Sequence, residues 1–242
     1  MLRPIGRRGG PFRPGVLTEA PGRVRRTEMF PEMKAAWERM VERQIAARGI
    51  VDGRVLAAMR KVPRHLFIPE ISRPAAYDDG PLPIGHGQTI SQPYVVAAMT
   101  EALELKETDN VLEVGTGSGY QTAVLAEIVR TVRTVEIVAE LAAAARRTLD
   151  RLEYDWIEYR LGDGAVGWPE GAPFDAIMVT AAPEGLPPAL LAQLRDGGRL
   201  VIPVGREVQH LIRVRRAGDR FLETELFPVR FVPLVSTAKE GP

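Results

Sequence analysis

The sequence contains no cysteine, and its 242 residues include only three histidines, His65, His86 and His210. A chain without cysteine cannot form disulfides, use a thiolate nucleophile, or bind zinc or an iron–sulfur cluster through sulfur. Three scattered histidines do not supply a histidine-rich ligand set either. We therefore expect an activity that needs neither a metal ion nor a thiol, and we expect His65, which lies between apolar residues, to be a packing residue.

Long apolar runs are also missing from the sequence. No stretch matches the apolar segment of about 7 to 15 residues in a secretory signal, or the run of about 18 residues that crosses a membrane. We therefore expect a cytoplasmic protein that does not act at a membrane. The 45% hydrophobic composition is that of a globular protein, and the length suits one large domain or two small ones.

The net charge of +1 is unevenly distributed along the chain. Residues 1–27 contain seven arginines and one acid, so the remaining residues carry a net charge of −5. Because residues 1–27 are rich in proline and glycine and show almost no apolar periodicity, we expect them to form a disordered basic tail. Such a tail could contact nucleic acid or an acidic partner, although a solvated extension or a misassigned start codon is the simpler explanation. We expect no nucleic acid to be required.

Helices are predicted before the first strand of the core. The spacing of apolar residues predicts a helix over residues 33–48 that ends at Gly49, and Asp52 can cap a second helix that runs to residue 61. Proline and glycine then predict an irregular loop over residues 78–88. Pro93 can open a third helix, which we expect to continue to about residue 105.

From Asn110 onward, short apolar runs alternate with helical segments. The predicted strands cover residues 111–114, 131–137, 156–161, 176–180 and 200–204, and the predicted helices cover residues 120–129, 139–152 and 187–194. This alternation indicates a doubly wound α/β fold with a mostly parallel sheet. Two β-rich runs at residues 208–216 and 221–235 predict an antiparallel edge. We expect one domain over residues 28–242, with helices and loops over residues 28–105 and a cofactor-binding core over residues 106–242.

A glycine-rich loop follows the first strand of this core. Gly115, Gly117 and Gly119 would let the backbone approach a ligand closely before the next helix begins. A dinucleotide fingerprint needs glycine where this chain has Tyr120. The acid before the loop, Glu113, suits a ligand with a positive charge better than a pyrophosphate.

Two further acids follow the next two strands. Glu136 stands where nucleoside-binding α/β proteins place a carboxylate against ribose hydroxyls. Asp163, followed by Gly164, could accept a hydrogen bond from an adenine amino group. Acids at three successive strand ends describe a pocket for a nucleoside with a cationic tail, and S-adenosylmethionine fits this description better than NAD or ATP.

Several segments together resemble protein-L-isoaspartate O-methyltransferases. They are residues 82–94 (LPIGHGQTISQPY), 111–120 (VLEVGTGSGY), 162–164 (GDG), 173–183 (PFDAIMVTAAP), 197–205 (GGRLVIPVG) and 229–235 (VRFVPLV). The resemblance runs in order over roughly residues 34–236 and is specific, because other S-adenosylmethionine-dependent methyltransferases do not share the GQTISQPY and RFVPLV segments. It implies methyl transfer from S-adenosylmethionine to the free α-carboxylate of L-isoaspartyl residues in damaged proteins and peptides, which starts their repair through a succinimide.

The resemblance also implies roles for individual residues. Ser91 is the catalytic position, where its hydroxyl could orient the substrate carboxylate; the alternative from the sequence is that Ser91 only caps the helix that opens at Pro93. The implied cofactor-binding residues are Gln88, Thr89, Ile90, Ser91, Glu113, Gly115, Gly117, Gly119, Glu136, Asp163 and Gly164. The implied substrate-binding residues are Val232, Pro233, Leu234 and Val235. His86, which lies in the loop over residues 78–88, is a further candidate for a substrate contact. No metal site is implied, and we expect a monomer.

Two other functions remain open at the level of the sequence. The same cofactor could serve a small-molecule or RNA substrate, although an RNA base methyltransferase would usually carry an Asp/Asn-Pro-Pro-Tyr-like run where this chain has residues 180–183 (TAAP). A binding module without catalysis could also keep a nucleoside pocket, but the intact glycine loop and Ser91 argue against it.

Overall fold

The computed structural model describes residues 31–237, so the prediction of a disordered tail over residues 1–27 lies outside the described residues. The helices are α1 (Pro31–Arg39), α2 (Gly53–Lys61), α3 (Pro93–Ala102), α4 (Tyr120–Ala126), α5 (Ala139–Arg151) and α6 (Pro188–Ala192). The strands are β1 (Leu82–Gly85), β2 (Gln88–Ile90), β3 (Asn110–Val114), β4 (Thr131–Glu136), β5 (Glu158–Leu161), β6 (Phe174–Val179), β7 (Leu194–Val204), β8 (Gln209–Ala217) and β9 (Arg220–Val229). No helix among them is long and apolar enough to cross a membrane.

Seven strands form the central sheet, in the order β5-β4-β3-β6-β7-β8-β9. The pairs from β5 to β7 are parallel, and β8 and β9 add the antiparallel edge. The doubly wound α/β fold with an antiparallel C-terminal edge is therefore confirmed. Because β3 has β4 on one side and β6 on the other, the strand order reverses at β3, and ligands bind at such a point beyond the carboxyl ends of the strands.

The first helical segment ends where the sequence predicts. A π-helical turn (Met40–Ile45) and a 3₁₀ turn (Ala46–Arg48) continue α1 to Gly49, which adopts a left-handed conformation at φ 96°. The Asp52 carboxylate accepts a hydrogen bond from the Arg54 backbone N–H at 2.8 Å, as a helix cap should. Both boundaries follow from local chemistry, so the sequence alone is enough to place them.

Other segments differ from the prediction. Residues 78–88 are not a loop throughout: β1 and β2 pair as an antiparallel hairpin, with Leu82 opposite Ile90 and a turn at His86 and Gly87. The strand predicted over residues 221–235 stops at Val229, and beyond it the chain makes one bridge to Ala182. Pro83 hides β1 in the sequence, because proline lacks the N–H that a strand donates. Strand β9 ends because its partner β8 begins at Gln209, opposite Val229, so no strand is left to pair with beyond it.

Apolar side chains cover both faces of the sheet. The larger cluster joins one face to the N-terminal helices and α4, and it includes Trp37, Met59 and Val111. The smaller cluster covers the other face and includes Leu112 and Val114. Successive residues of β3 therefore face opposite clusters, as the alternation of side chains along a strand requires.

A buried arginine ties the sheet to the connection between α3 and β3. Arg199 on β7 is 7% exposed and contacts the Asp109 carboxylate at 2.5 Å. Its guanidinium also donates to the backbone oxygens of Leu103 at 2.7 Å and Glu104 at 3.0 Å. Since Asp109 is only 3% exposed, each charge depends on the other inside the protein.

We expect Arg199→Met to lower the free energy of unfolding by about 3–5 kcal/mol, because it leaves a buried carboxylate without its cation. Urea unfolding followed by circular dichroism measures this difference. Arg213→Met is the matched control: Arg213 pairs with Glu104 at 2.7 Å, but both side chains are partly exposed, so the loss should stay below about 1 kcal/mol. Equal losses in the two variants would contradict the prediction.

Candidate active site

The glycine-rich loop leads from β3 to α4 at the reversal point of the sheet. Gly115 and Gly117 have φ angles of 94° and 53°, in the left-handed region that glycine tolerates. A Cβ on Gly115 would overlap the hydroxyl oxygen of Thr180, which instead donates a hydrogen bond to the Gly115 carbonyl at 2.6 Å. The loop can therefore lie directly against the end of β6.

Glu136, at the end of β4, holds the other side of this loop. Its carboxylate accepts hydrogen bonds from the backbone N–H groups of Gly117 at 2.8 Å, Ile137 at 2.9 Å and Val138 at 2.9 Å. Glu136 is 6% exposed and lines a cavity at the strand ends. Two carboxylate oxygens accept about four hydrogen bonds, so this side chain keeps room for one donor from a ligand.

The cavity brings together most of the residues implied by the resemblance. Of these, it is lined by Gln88, Thr89, Ile90, Ser91, Gly115, Gly117, Glu136, Gly164, Val232, Pro233, Leu234 and Val235. Lining residues that the sequence did not single out are Val96, Val114, Thr116, Ser118, Tyr120, Gln121, Val135, Ile137, Val138, Thr180 and Ala181. Residues 88–91 and 232–235 are far from the glycine loop in sequence, so only the folded chain unites the three segments.

Glu113 is a correction to the sequence prediction, because its side chain does not reach the cavity. It is fully buried on the face of β3 that is covered by α4, where Thr122 and Thr134 donate to one carboxylate oxygen at 2.5 and 2.6 Å. Burial raises the pKa of Glu113 to about 8, against the opposing effect of these hydrogen bonds. Glu113 therefore connects β3 to α4 and β4 instead of meeting a ligand in the cavity.

Gly119 and Asp163 also lie outside the cavity lining. Gly119 precedes α4, and a Cβ there would crowd Leu149 and Ala145 of α5, so this glycine permits close helix packing. One oxygen of Asp163 accepts the Ala165 N–H at 2.9 Å, and the other faces residues 236 and 237. Both carboxylate oxygens of Asp163 thus have partners within the chain, and this arrangement does not support the predicted contact with adenine.

Ser91 follows β2 and lines the cavity from the hairpin. The residue that caps α3 is Gln92, and it does so without a side-chain hydrogen bond. None of the hydrogen bonds found within residues 31–237 uses the Ser91 hydroxyl to cap the helix. The alternative that Ser91 serves only as a helix cap is therefore wrong.

A second cavity, which we call the acceptor cleft, adjoins the first. It is lined by Pro81, Thr89, Ser91, Gln92, Val95, Thr180, Pro228, Val229, Arg230, Phe231 and Val232. Thr89, Ser91, Thr180 and Val232 line both cavities. These four shared residues form a junction at which two bound molecules could meet.

The segment after β9 is held in place by two sets of hydrogen bonds. The Gln209 side chain donates to the Phe231 carbonyl at 3.1 Å and accepts the Phe231 N–H at 2.6 Å. The backbone of Ala182 bonds to the Val232 carbonyl at 2.8 Å and to the Leu234 N–H at 2.9 Å. Within the described chain, no backbone hydrogen bond of this segment uses the Val232 N–H.

His86 does not join the site in this structure. It occupies the turn of the β1–β2 hairpin with a φ angle of 52°, is exposed, and lines neither cavity. His65, by contrast, is buried as expected, with its Nδ1 atom 2.7 Å from the Tyr77 hydroxyl. Burial lowers the pKa of His65 to about 4, which suits a neutral packing residue.

Arg64 is a buried structural residue next to the site that the sequence did not reveal. Its fully buried guanidinium donates to the Ala76 carbonyl at 2.8 Å and the Gly80 carbonyl at 3.3 Å, just before β1. It also stands 5.1 Å from the ring centre of Tyr120, which lines the first cavity. Burial lowers the pKa of Arg64 to about 10, so the side chain keeps its charge at neutral pH. The sign of this buried arginine in the sequence is its position directly after Pro63, within an apolar stretch.

Comparison with known proteins gives consistent matches over most of the chain. A family model described as Protein-L-isoaspartate(D-aspartate) O-methyltransferase matches residues 35–239. The chain is 59% identical over 199 residues to a protein-L-isoaspartate O-methyltransferase of Opitutus terrae, covering 81% of this chain and 85% of that protein. It is 58% identical over 201 residues to protein-L-isoaspartate O-methyltransferase 2 of Pelobacter propionicus, covering 82% and 89% of the two chains.

Solved structures with the same name are also similar. One protein-L-isoaspartate O-methyltransferase superposes with a TM-score of 0.74 at 26% identity, covering 81% of this chain and 65% of that chain. A Plasmodium falciparum structure, described as a protein-L-isoaspartate O-methyltransferase in complex with S-adenosyl-L-homocysteine, gives a TM-score of 0.72 at 29% identity. That match covers 82% of this chain and 98% of the other.

The buried carboxyl of Glu113 predicts a pH dependence of stability. Its pKa rises from 4.5 to about 8 on folding, so the folded chain binds more protons between these values. The contribution of Glu113 to the free energy of unfolding is therefore fully present below about pH 4.5 and is lost as pH rises through about 8. We expect Glu113→Gln to reduce the fall in stability between about pH 5 and pH 8, as measured by urea unfolding. Glu184→Gln, at an exposed position, is the control. If the free energy of unfolding falls as steeply between about pH 5 and pH 8 in Glu113→Gln as in this control, the assignment is refuted.

Proposed function

The chain belongs to the protein-L-isoaspartate(D-aspartate) O-methyltransferase family, and we propose that its two adjoining cavities hold the methyl donor and the isoaspartyl acceptor of this reaction. The enzyme transfers a methyl group from S-adenosylmethionine to the free α-carboxylate of L-isoaspartyl residues in damaged proteins and peptides. The resulting ester collapses to a succinimide, and hydrolysis of the succinimide returns part of the material to the normal aspartyl linkage.

The junction between the cavities is the observation that carries this proposal. Ser91 and Val232 lie on the wall that both cavities share, and each offers a hydrogen-bond donor there. We assign the Ser91 hydroxyl and the Val232 N–H to the two oxygens of the acceptor carboxylate. Both donors are neutral, so they can orient the carboxylate without neutralising the charge that makes it nucleophilic.

The residues that line the first cavity suit the chemistry of the cofactor. S-adenosylmethionine supplies, when bound, a methyl group on a positively charged sulfur. Glu136 would accept hydrogen bonds from the ribose hydroxyls with its remaining acceptor position. Gly115 and Gly117 leave the backbone open to close approach, and Gly164 lies where a Cβ would overlap Val114. Gln88, Thr89 and Ile90 would close the cavity from the hairpin.

The reaction requires little acid–base chemistry from the protein. A free α-carboxylate has a pKa of about 3.5 and is already ionised at neutral pH, so no general base is needed. The chain therefore contributes mainly by aligning the two reacting groups and excluding water, which can supply several kcal/mol of the barrier reduction. A histidine-poor and cysteine-free site is compatible with this chemistry.

The substrate is a protein segment, and the acceptor cleft lies beside extended backbone. Pro233, Leu234 and Val235 follow the junction, so we propose that they line the path of the bound segment. We further propose that the enzyme acts in the cytoplasm as a monomer and requires no nucleic acid. A sequence without cysteine is compatible with this location.

Paired peptides test the activity directly. We expect label from radioactive S-adenosylmethionine to enter a peptide that contains L-isoaspartate and not its partner that contains aspartate in the same sequence. The reason is that only the isoaspartyl form presents a free α-carboxylate at that position. Equal labelling of the two peptides, or labelling of neither, would overturn the proposed function.

Replacement of Ser91 tests the junction. We expect Ser91→Ala to lower kcat roughly 10-fold or more while the KM for S-adenosylmethionine changes by less than about threefold, because orientation of the acceptor is lost and cofactor contacts remain. Steady-state kinetics with an isoaspartyl peptide separates the two constants. Ser72→Ala, which lies outside both cavities, is the control and should match the wild-type chain. An unchanged kcat in Ser91→Ala would remove Ser91 from the proposed site.

A further inference from the structure

We propose that Arg230 is a specificity-determining residue that selects isoaspartyl segments carrying a second carboxylate, on a residue next to the isoaspartyl position. This inference rests on the proposed function, because it assigns the acceptor cleft to the protein segment being methylated. It adds a preference for acidic neighbours that the methyl-transfer reaction itself does not demand.

The charge distribution of the acceptor cleft is the first observation. Arg230 is the single charged residue among the eleven that line the cleft. It is exposed, and none of the ion pairs found within residues 31–237 includes it. A guanidinium facing a cleft without an acid on its walls attracts anions from solution.

The other lining residues of the cleft offer no competing negative charge. Gln92 lines the cleft, and its amide nitrogen donates to the Asp79 carboxylate at 2.7 Å. Asp79 itself is paired with Arg48 at 3.1 Å and is not among the lining residues. Asp79, which is hydrogen-bonded to the cleft residue Gln92, is thus already paired with a cation, and Arg230 gives the lining of the cleft its positive charge.

The backbone that carries Arg230 is fixed on both sides. Gln209 is paired with Val229 in the sheet, and its side chain makes two hydrogen bonds to Phe231. Arg230 therefore projects from a segment with little freedom to move away from the cleft. The backbone under Arg230 is therefore already ordered, so binding a carboxylate would have to order only the arginine side chain.

Arg230 is badly placed to hold the carboxylate that reacts. The acceptor carboxylate has to meet the methyl group at the junction, and Arg230 lines the acceptor cleft but not the first cavity. A bidentate ion pair would also stabilise the carboxylate charge and so reduce its nucleophilicity. The neutral donors of Ser91 and Val232 suit the reacting group, which leaves Arg230 for a second carboxylate on the flanking residue.

The test compares four isoaspartyl peptides that carry Glu or Gln immediately before or immediately after the isoaspartyl residue. For the wild-type chain at low salt, we expect the Glu peptide on one side to have a KM roughly two- to fivefold below that of its Gln partner, with an equal kcat. The difference should shrink at about 0.5 M salt, because exposed charges are then screened.

Variants assign this preference to the residue. In Arg230→Gln the KM difference should disappear, and in Arg230→Lys part of it should remain because the charge is kept. Arg220→Gln is the matched control: Arg220 is an exposed arginine at the opposite end of β9, and this variant should keep the wild-type preference.

Each contrary result has a distinct meaning. Equal KM values for Glu and Gln peptides on both sides in the wild-type chain would overturn the inference and leave the methyltransferase function intact. A loss of kcat for all four peptides in Arg230→Gln would also overturn it, because Arg230 would then act on the reacting carboxylate. If no isoaspartyl peptide is methylated, the proposed function itself fails, and the inference fails with it.

Discussion

The carboxylate of Glu136 is the contact on which the site depends. It gathers three backbone N–H groups, from the glycine loop after β3 and from the turn after β4, around one side chain. A buried carboxylate is tolerated only when such donors compensate for the loss of water. The hydrogen bonds that compensate for the burial of Glu136 therefore also hold the glycine loop beside the turn after β4, and they leave one acceptor position of the carboxylate for a ligand.

The junction between the two cavities is assembled by a different set of contacts. The β1–β2 hairpin brings Ser91 from the N-terminal part, and the segment after β9 brings Val232 from the C-terminal edge. Arg64 anchors the chain before the hairpin, while Gln209 anchors the chain after β9. Each anchor is a long polar side chain that satisfies backbone groups of an irregular segment, which would otherwise lose their hydrogen bonds on burial.

This construction separates two uses of charge. At the junction, where the methyl group is transferred, the proposed donors are a hydroxyl and a backbone N–H, which orient an anion without cancelling its charge. Farther along the acceptor cleft, Arg230 offers a full positive charge, which is suited to binding and not to the reaction. The proposed division lets affinity for the segment change with its neighbouring residues while the transfer step stays the same.

Sequence patterns were sufficient for the parts of the molecule that local chemistry controls. The alternation of strands and helices predicted the α/β core. Asp52 predicted a helix boundary, and the glycines predicted the loop after β3. All three patterns act within a few residues. Glu136 was placed correctly at a strand end for the same reason. Glu113 was not placed correctly. Both faces of β3 are apolar, so nothing local distinguishes a buried carboxylate beneath α4 from one in a pocket.

Other features depend on contacts between residues far apart in the chain. They are the β1–β2 hairpin, the position of Arg64, and the meeting of Ser91, Thr180, Val232 and Arg230. Only the tertiary structure decides them, because the free energy that holds those segments together comes from packing and hydrogen bonds that no single segment contains.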